Sequence, residues 1–123
     1  MTVDSMLAYC LGLPGAWPDS HMENVHPVVK VGAAERGKIF AVLQNEWVGV
    51  KVARSQEEAD EWLQRFPEHV RVMPYLGRSG WITLDLGDAI PEQDLRDAVD
   101  ESYRLVVADL PNRLRPEGWD TVR

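Results

Sequence analysis

The chain is 123 residues long, 45% hydrophobic and 27% charged, the size and composition of one globular domain rather than a disordered tail, a membrane protein or a two-domain enzyme with its own cofactor module. Its 20 acidic residues against 13 Lys and Arg leave a net charge of -7, which excludes general polyanion coating and requires any nucleic-acid contact to be local. A lone cysteine, Cys10, and the lack of a signal-peptide pattern or long apolar run exclude a disulfide framework and predict a cytoplasmic setting with no membrane association.

Val3, Met6, Leu7, Cys10 and Leu11 recur at helical spacing and stop before Pro14 and Gly15, which predicts a first helix. Ala16 to Met22 contains Pro18 and fits either an edge strand or a loop. Pro27 to Val31, Lys38 to Leu43 and Trp47 to Val52 are short, rich in β-branched and apolar residues, and separated by turn signals, the pattern of an antiparallel meander. Ser55 with Glu58 forms a capping box for a second helix, Gln56 to Arg65, ended by Pro67. Val70 to Met73 and Trp81 to Leu86 give two further strands, joined by a loop carrying Gly77 and Gly80. Pro91 opens the longest helix, whose inward stripe is Leu95, Val99, Ser102, Val106 and Leu110, and Pro111 stops it. One domain over residues 1–115 is expected, with 116–123 as a mobile C-terminal tail. The charge is uneven. Residues 1–54 are balanced, so the whole excess of acid follows Ser55, much of it on the second and third helices.

This order predicts a two-layer α+β fold, an antiparallel sheet of five or six strands with its helices on one face. Alternation then sorts the strand residues. One face collects Val29, Val31, Ile39, Ala41, Leu43, Val48, Val50, Val52, Val70, Val72, Ile82, Leu84 and Leu86, all apolar, and is the face to pack on the helices. The other collects Lys30, Lys38, Phe40, Trp47, Lys51, Arg71, Met73, Trp81 and Thr83, mixing bases with aromatic rings.

Five stretches carry a resemblance to a known family: YCLGLPGA at Tyr9 to Ala16, GKIFAVL at Gly37 to Leu43, VGVKV at Val48 to Val52, GWITLDL at Gly80 to Leu86 and DESYRLVVADLPNRLR at Asp100 to Arg115. Together they span roughly residues 3 to 115, and the chain resembles the MmcQ/YjbR family of small bacterial proteins labelled DNA-binding. The resemblance implies an α-β-β-β-α-β-β-α fold with a curved antiparallel sheet, similar to type III secretion chaperones and frataxin-like proteins, and it implies DNA binding. The chain departs from the family pattern at Tyr75, where a His is expected, and at Arg78, where a Lys is common.

Basic residues beside aromatic rings on an open sheet are how such surfaces hold single strands, with bases stacked on rings and phosphates on cations. Lys30, Lys38, Lys51, Arg71, Arg78, Trp47 and Trp81 are therefore the candidate nucleic-acid surface. The structural alternative is that Phe40, Trp47 and Trp81 merely cover the sheet, with lysine stems lying over them. Other constellations point to no chemistry. Asp19, His21, Glu23 and His26 match no closed zinc spacing, and carboxylates scattered along helices make no dedicated metal site. His69 stands alone after a helix, with solvent as its expected neighbour. Ser102 has no GxSxG elbow and is expected to bond the carbonyl one turn back; Cys10 reads as an inert core thiol. Asp100-Glu101 and Glu57-Glu58 are expected on exposed helix faces, without a pocket to raise a pKa. The expectation is a non-enzymatic monomer that binds DNA weakly and uses no cofactor or metal, with a protein-interaction or chaperone-like module as the alternative.

Overall fold

The computed structural model describes residues 1–19, 27–33 and 36–122. Helix α1 (Val3–Leu11) starts from Thr2, whose hydroxyl accepts the Ser5 N–H while the Ser5 side chain accepts the Thr2 N–H, so two of the donors that open the helix are satisfied locally. Six strands follow, β1 (Ala16–Asp19), β2 (Val28–Val31), β3 (Lys38–Gln44), β4 (Trp47–Lys51), β5 (Val70–Val72) and β6 (Trp81–Asp85), with α2 (Gln56–Arg65) between β4 and β5 and α3 (Glu92–Ala108) after β6. The strands form one antiparallel sheet in the order β1-β2-β3-β4-β6-β5. The ambiguous segment at Ala16 is the edge strand β1, and an edge is where Pro18 costs no ladder bond. Residues 20–26, including His21, Glu23 and His26, lie outside the described set. Among the described residues no helix is long and apolar enough to cross a membrane, and no cluster of three His, Cys, Asp or Glu side chains is placed to hold a metal.

The core lies between the helices and one sheet face, as the alternation predicts. Val48, Val50, Ile82 and Leu84 are fully buried, with Val52 nearly so, and they join Met6 and Cys10 of α1, Ala59 of α2, and Leu95, Val99, Tyr103 and Val107 of α3 in one cluster.

The alternation fails at one point. Val29 pairs with Ala41 but Lys30 pairs with Ile39, so Phe40 is an extra residue bulged out of β3. A bulge turns two successive side chains toward the same face. Phe40 therefore points inward with Ala41, is 0% exposed, and meets Tyr103 of α3 edge-on at a ring separation of 5.4 Å. Lys38, now opposite Val31, shares the helix-side face at the exposed start of β3. Both residues leave the basic face to which strict alternation assigns them.

Ser102 explains how α3 tolerates this. The β3–β4 ladder runs from Gln44↔Trp47 to Ala41↔Val50, and the next rung would join Phe40 to Lys51. There the Ser102 hydroxyl inserts instead, donating to the Phe40 carbonyl at 2.6 Å and accepting the Lys51 N–H at 2.9 Å. The serine bonds the sheet, not the preceding turn of its own helix. Asp100 also departs from expectation. It is buried, accepts the Tyr9 hydroxyl at 2.7 Å, and burial raises its carboxyl above the ordinary range, Tyr9 and Arg104 only partly opposing this.

The C-terminal segment is packed rather than loose. Arg115 donates to the Ala108 and Leu110 carbonyls at 2.7 and 3.0 Å, closing acceptors that α3 leaves free at its end. Its guanidinium also stacks on Trp119 at 5.2 Å. Trp119 and Val122 rest on the core cluster, and Pro116 fills the space beside Gly15. The domain therefore extends through the last described residues.

Candidate functional site

Among the described residues no helix packs on the second face of the sheet; the buried side chains of α1, α2 and α3 join the core on the apolar face described above. Cross-strand partners share a face, so the pairs Trp17↔Lys30, Lys30↔Ile39, Val42↔Gly49, Trp47↔Asp85, Lys51↔Trp81 and Arg71↔Thr83 lay out the open surface. At its centre Gly49 supplies no side chain, and Met73 fills the gap. A Cβ on Gly49 would stand 2.5 Å from Met73 Cε and 3.3 Å from Trp47 Cζ3. Met73 and Trp81 are each only 8% exposed, whereas Trp47 and Lys51 are half-buried. The floor of this face is thus closely packed, with Trp47 and Lys51 its more accessible parts.

The charges on this face are less available than the sequence suggests. Lys30 Nζ lies 2.6 Å from Asp19 Oδ2, within a salt bridge to the adjacent edge strand, and 5.5 Å above the Trp17 ring. Arg71 donates to Asp85 Oδ1 at 2.7 Å, and His69 Nδ1 stands 3.1 Å from the other oxygen of the same carboxylate. The Arg71 hydrogen bond, aided by His69 and against partial desolvation, holds the Asp85 carboxyl below its ordinary range. His69 is therefore a bonded member of a Arg71–Asp85–His69 group rather than an isolated side chain. Lys51 and Arg78, the latter exposed in the 3₁₀ turn Gly77–Ser79, have no ion-pair partner among the described residues. Lys51 and the turn that carries Arg78 lie at the same end of β4 and β6. Lys51 is opposite Trp81, and the Trp81 N–H points to the Leu76 carbonyl in the turn that carries Arg78.

Of the seven candidate residues, the structure brings Trp47, Lys51 and Trp81 together on the open face, and Arg78 sits in the turn at the end of that face, bordering a hollow with Val72 and with Gln56 of α2. Lys30 and Arg71 share the face with their carboxylates, and Lys38 lies on the other side. Asp19, Asp85 and Trp17 are members that the sequence reading leaves out. Continuing the alternation two residues past Thr83 would have put Asp85 on this face, and reading Ala16–Asp19 as a strand would have added Trp17 and Asp19. At the opposite end of β4 and β6, a cleft of about 550 Å³ is lined by Thr2, Glu46, His69, Asp85 and Asp88 among others, so its charged rim is mainly acidic.

A family model described as YjbR matches residues 11–105, a span holding every residue of the open face named above. The chain belongs to the YjbR family. The uncharacterized protein YjbR of Escherichia coli K12 is 28% identical over 115 residues, covering 94% of this chain and 95% of that protein. YjbR of Escherichia coli O157:H7 matches with the same identity and coverage. Two crystal structures share the fold. A Deinococcus radiodurans protein with a DUF419 domain superposes with a TM-score of 0.81 at 24% identity, over 93% of this chain and 85% of that one. A Pseudomonas syringae protein does so with a TM-score of 0.67 at 14% identity, over 86% and 99%.

Proposed function

We propose that this YjbR-family chain is a non-enzymatic binding module of the cytoplasm whose open sheet face takes nucleic acid weakly. The observation that carries the reading is that Trp47 and Lys51, the accessible parts of the face, share with the buried Trp81 a surface that no helix covers among the described residues, with Arg78 in the turn at its end and no carboxylate paired to either cation among those residues. Rings supply stacking surface and free cations meet phosphates. The pairing of Lys30 with Asp19 and of Arg71 with Asp85 limits the electrostatic part to about two or three phosphates, for which affinity falls roughly tenfold between 50 and 200 mM salt. Titrating a labelled oligonucleotide against the protein over that salt range tests it. Lys51→Glu should weaken binding strongly while Lys38→Glu, on the other face, leaves it nearly unchanged. Absence of binding by the wild type at low salt, or equal loss in both variants, refutes the site.

A second reading has its own support. Half-buried Val28, Ile39 and Val42 share the open face with Trp47, and two of its bases are already neutralised, which suits an apolar polypeptide segment. Salt-insensitive capture of an extended polypeptide, with no oligonucleotide binding, would favour it.

A further inference from the structure

The connection from Met73 to Gly80 carries a strained feature that the fold does not use. Tyr75 is fully exposed and has a φ of 67°, the left-handed region that an L side chain other than Asn or Asp rarely adopts. The Leu76 N–H bonds the Pro74 carbonyl at 2.8 Å across it, closing a three-residue turn with Tyr75 at its apex. The ring stands in water and contributes nothing to the core.

This display is built on a rigid base. A side chain at Gly77 would collide with Val72 Cγ1, and one at Gly80, itself at φ 89°, would collide with the Ala53 carbonyl. The Ser79 and Gly80 N–H groups bond the Leu76 and Gly77 carbonyls at 3.0 Å each, the Met73 N–H bonds Trp81 at 3.1 Å, and the Val52 N–H bonds Gly80 at 3.0 Å. The turn is thereby clamped to the end of β4 and the start of β6, where Lys51 and Trp81 lie. Tyr75 and Arg78 border the same hollow of about 230 Å³, together with Pro74 and Gln56, and Arg78 has no acidic partner among the described residues.

We propose that Tyr75 is a stacking prong for an unpaired base of single-stranded nucleic acid, with Arg78 beside it meeting the neighbouring phosphate. The inference rests on the nucleic-acid reading of the sheet face and narrows it to single strands. A ring displayed in the open reaches the face of a base only when that base is neither paired nor stacked, and the chain's net charge of -7 opposes the denser charge of a duplex. A protruding aromatic beside an unpaired guanidinium matches a base followed by its phosphate.

The test measures binding of a short labelled oligothymidylate, and of the same strand annealed to oligoadenylate, to the wild type, Tyr75→Gly, Tyr75→Phe and Lys51→Glu, with thermal melts of each protein. Tyr75→Gly should weaken single-strand binding about 5- to 100-fold while melting at or above the wild type, because glycine takes the same φ without strain. Tyr75→Phe should retain the affinity, and the duplex should bind more weakly than the strand. Unchanged affinity in Tyr75→Gly, with Lys51→Glu still weakened, overturns the prong and leaves the sheet face standing. No binding by the wild type at low salt overturns both. A lower melting temperature for Tyr75→Gly assigns the ring a structural role and overturns the proposal. Capture of carboxymethylated, unfolded α-lactalbumin by the wild type but not by Tyr75→Gly, with no oligonucleotide binding, overturns it in favour of a polypeptide partner.

Discussion

Replacing Ser102 by alanine removes the hydroxyl that stands where the β3–β4 ladder lacks its next rung. Its two bonds, 2.6 Å to the Phe40 carbonyl and 2.9 Å from the Lys51 N–H, satisfy main-chain groups that the bulge at Phe40 separates. Each such group costs about 1–3 kcal/mol when buried without a partner. The Phe40 carbonyl bond is buried and the Lys51 N–H bond only part-buried, so together they cost about 2.5–4.5 kcal/mol; less the roughly 0.5 kcal/mol that alanine brings to a helix, a net loss of about 2–4 kcal/mol is expected. Against a total stability on the order of 5–15 kcal/mol this is a large fraction, and at roughly 4 °C per kcal/mol for a domain of this size it lowers the melting temperature by about 8–16 °C. A serine facing solvent on the same helix would give the opposite sign, since there alanine only improves propensity. Parallel urea titrations followed by circular dichroism decide between them. Because the hydroxyl also fixes the main chain of Lys51, the variant should lose oligonucleotide affinity under conditions where it is still folded. A Ser102→Ala protein as stable as the wild type, or more stable, would refute the wedge.

The two perturbed carboxylates should respond to acid in opposite directions. Arg71 holds the Asp85 carboxyl low, so its contribution is present at neutral pH and is lost as pH falls through that lowered value; Asp85→Asn should cost about 0.5–1 kcal/mol at pH 7 and nothing once the wild-type carboxyl is protonated, as urea melts across pH would show. Burial holds the Asp100 carboxyl high, so protonation favours its folded state; Asp100→Asn, which keeps an acceptor for Tyr9, should be more stable than the wild type at pH 7, with the gap closing in acid. The Cys10 thiol is fully buried and pushed up to about 12, chiefly by desolvation, so a disulfide reagent should label it only in denaturant; fast labelling of the native protein would contradict that burial. Gly80→Ala combines a left-handed φ of 89° with a collision at the Ala53 carbonyl and should cost more than about 2 kcal/mol, read as a lower urea midpoint.

The sequence by itself determined most of the fold. Helical spacing placed the apolar stripe of α1 and located α2 to the residue and α3 to within two residues at each end, and alternation separated the buried set Val48, Val50, Ile82 and Leu84 from the open set Trp47, Lys51 and Trp81. These signals are legible because each depends on a period set by the local backbone, 3.6 residues in a helix and 2 in a strand. Tertiary structure decided what the period cannot reach. The bulge at Phe40 is a property of the pairing between β2 and β3, and one unpaired residue was enough to turn Phe40 onto Tyr103 and to take Lys38 off the face of Lys51. Which bases remain free was likewise settled across strands, where Asp19 reaches Lys30 and Asp85 reaches Arg71. The segment after Pro111, polar and rich in turn residues, is held by Arg115 on the end of α3 and by Trp119 against the core. The Arg115 bonds reach only five and seven residues back, but the packing of Trp119 on the core and of Pro116 against Gly15 comes from partners distant in the chain, which no window of local sequence contains.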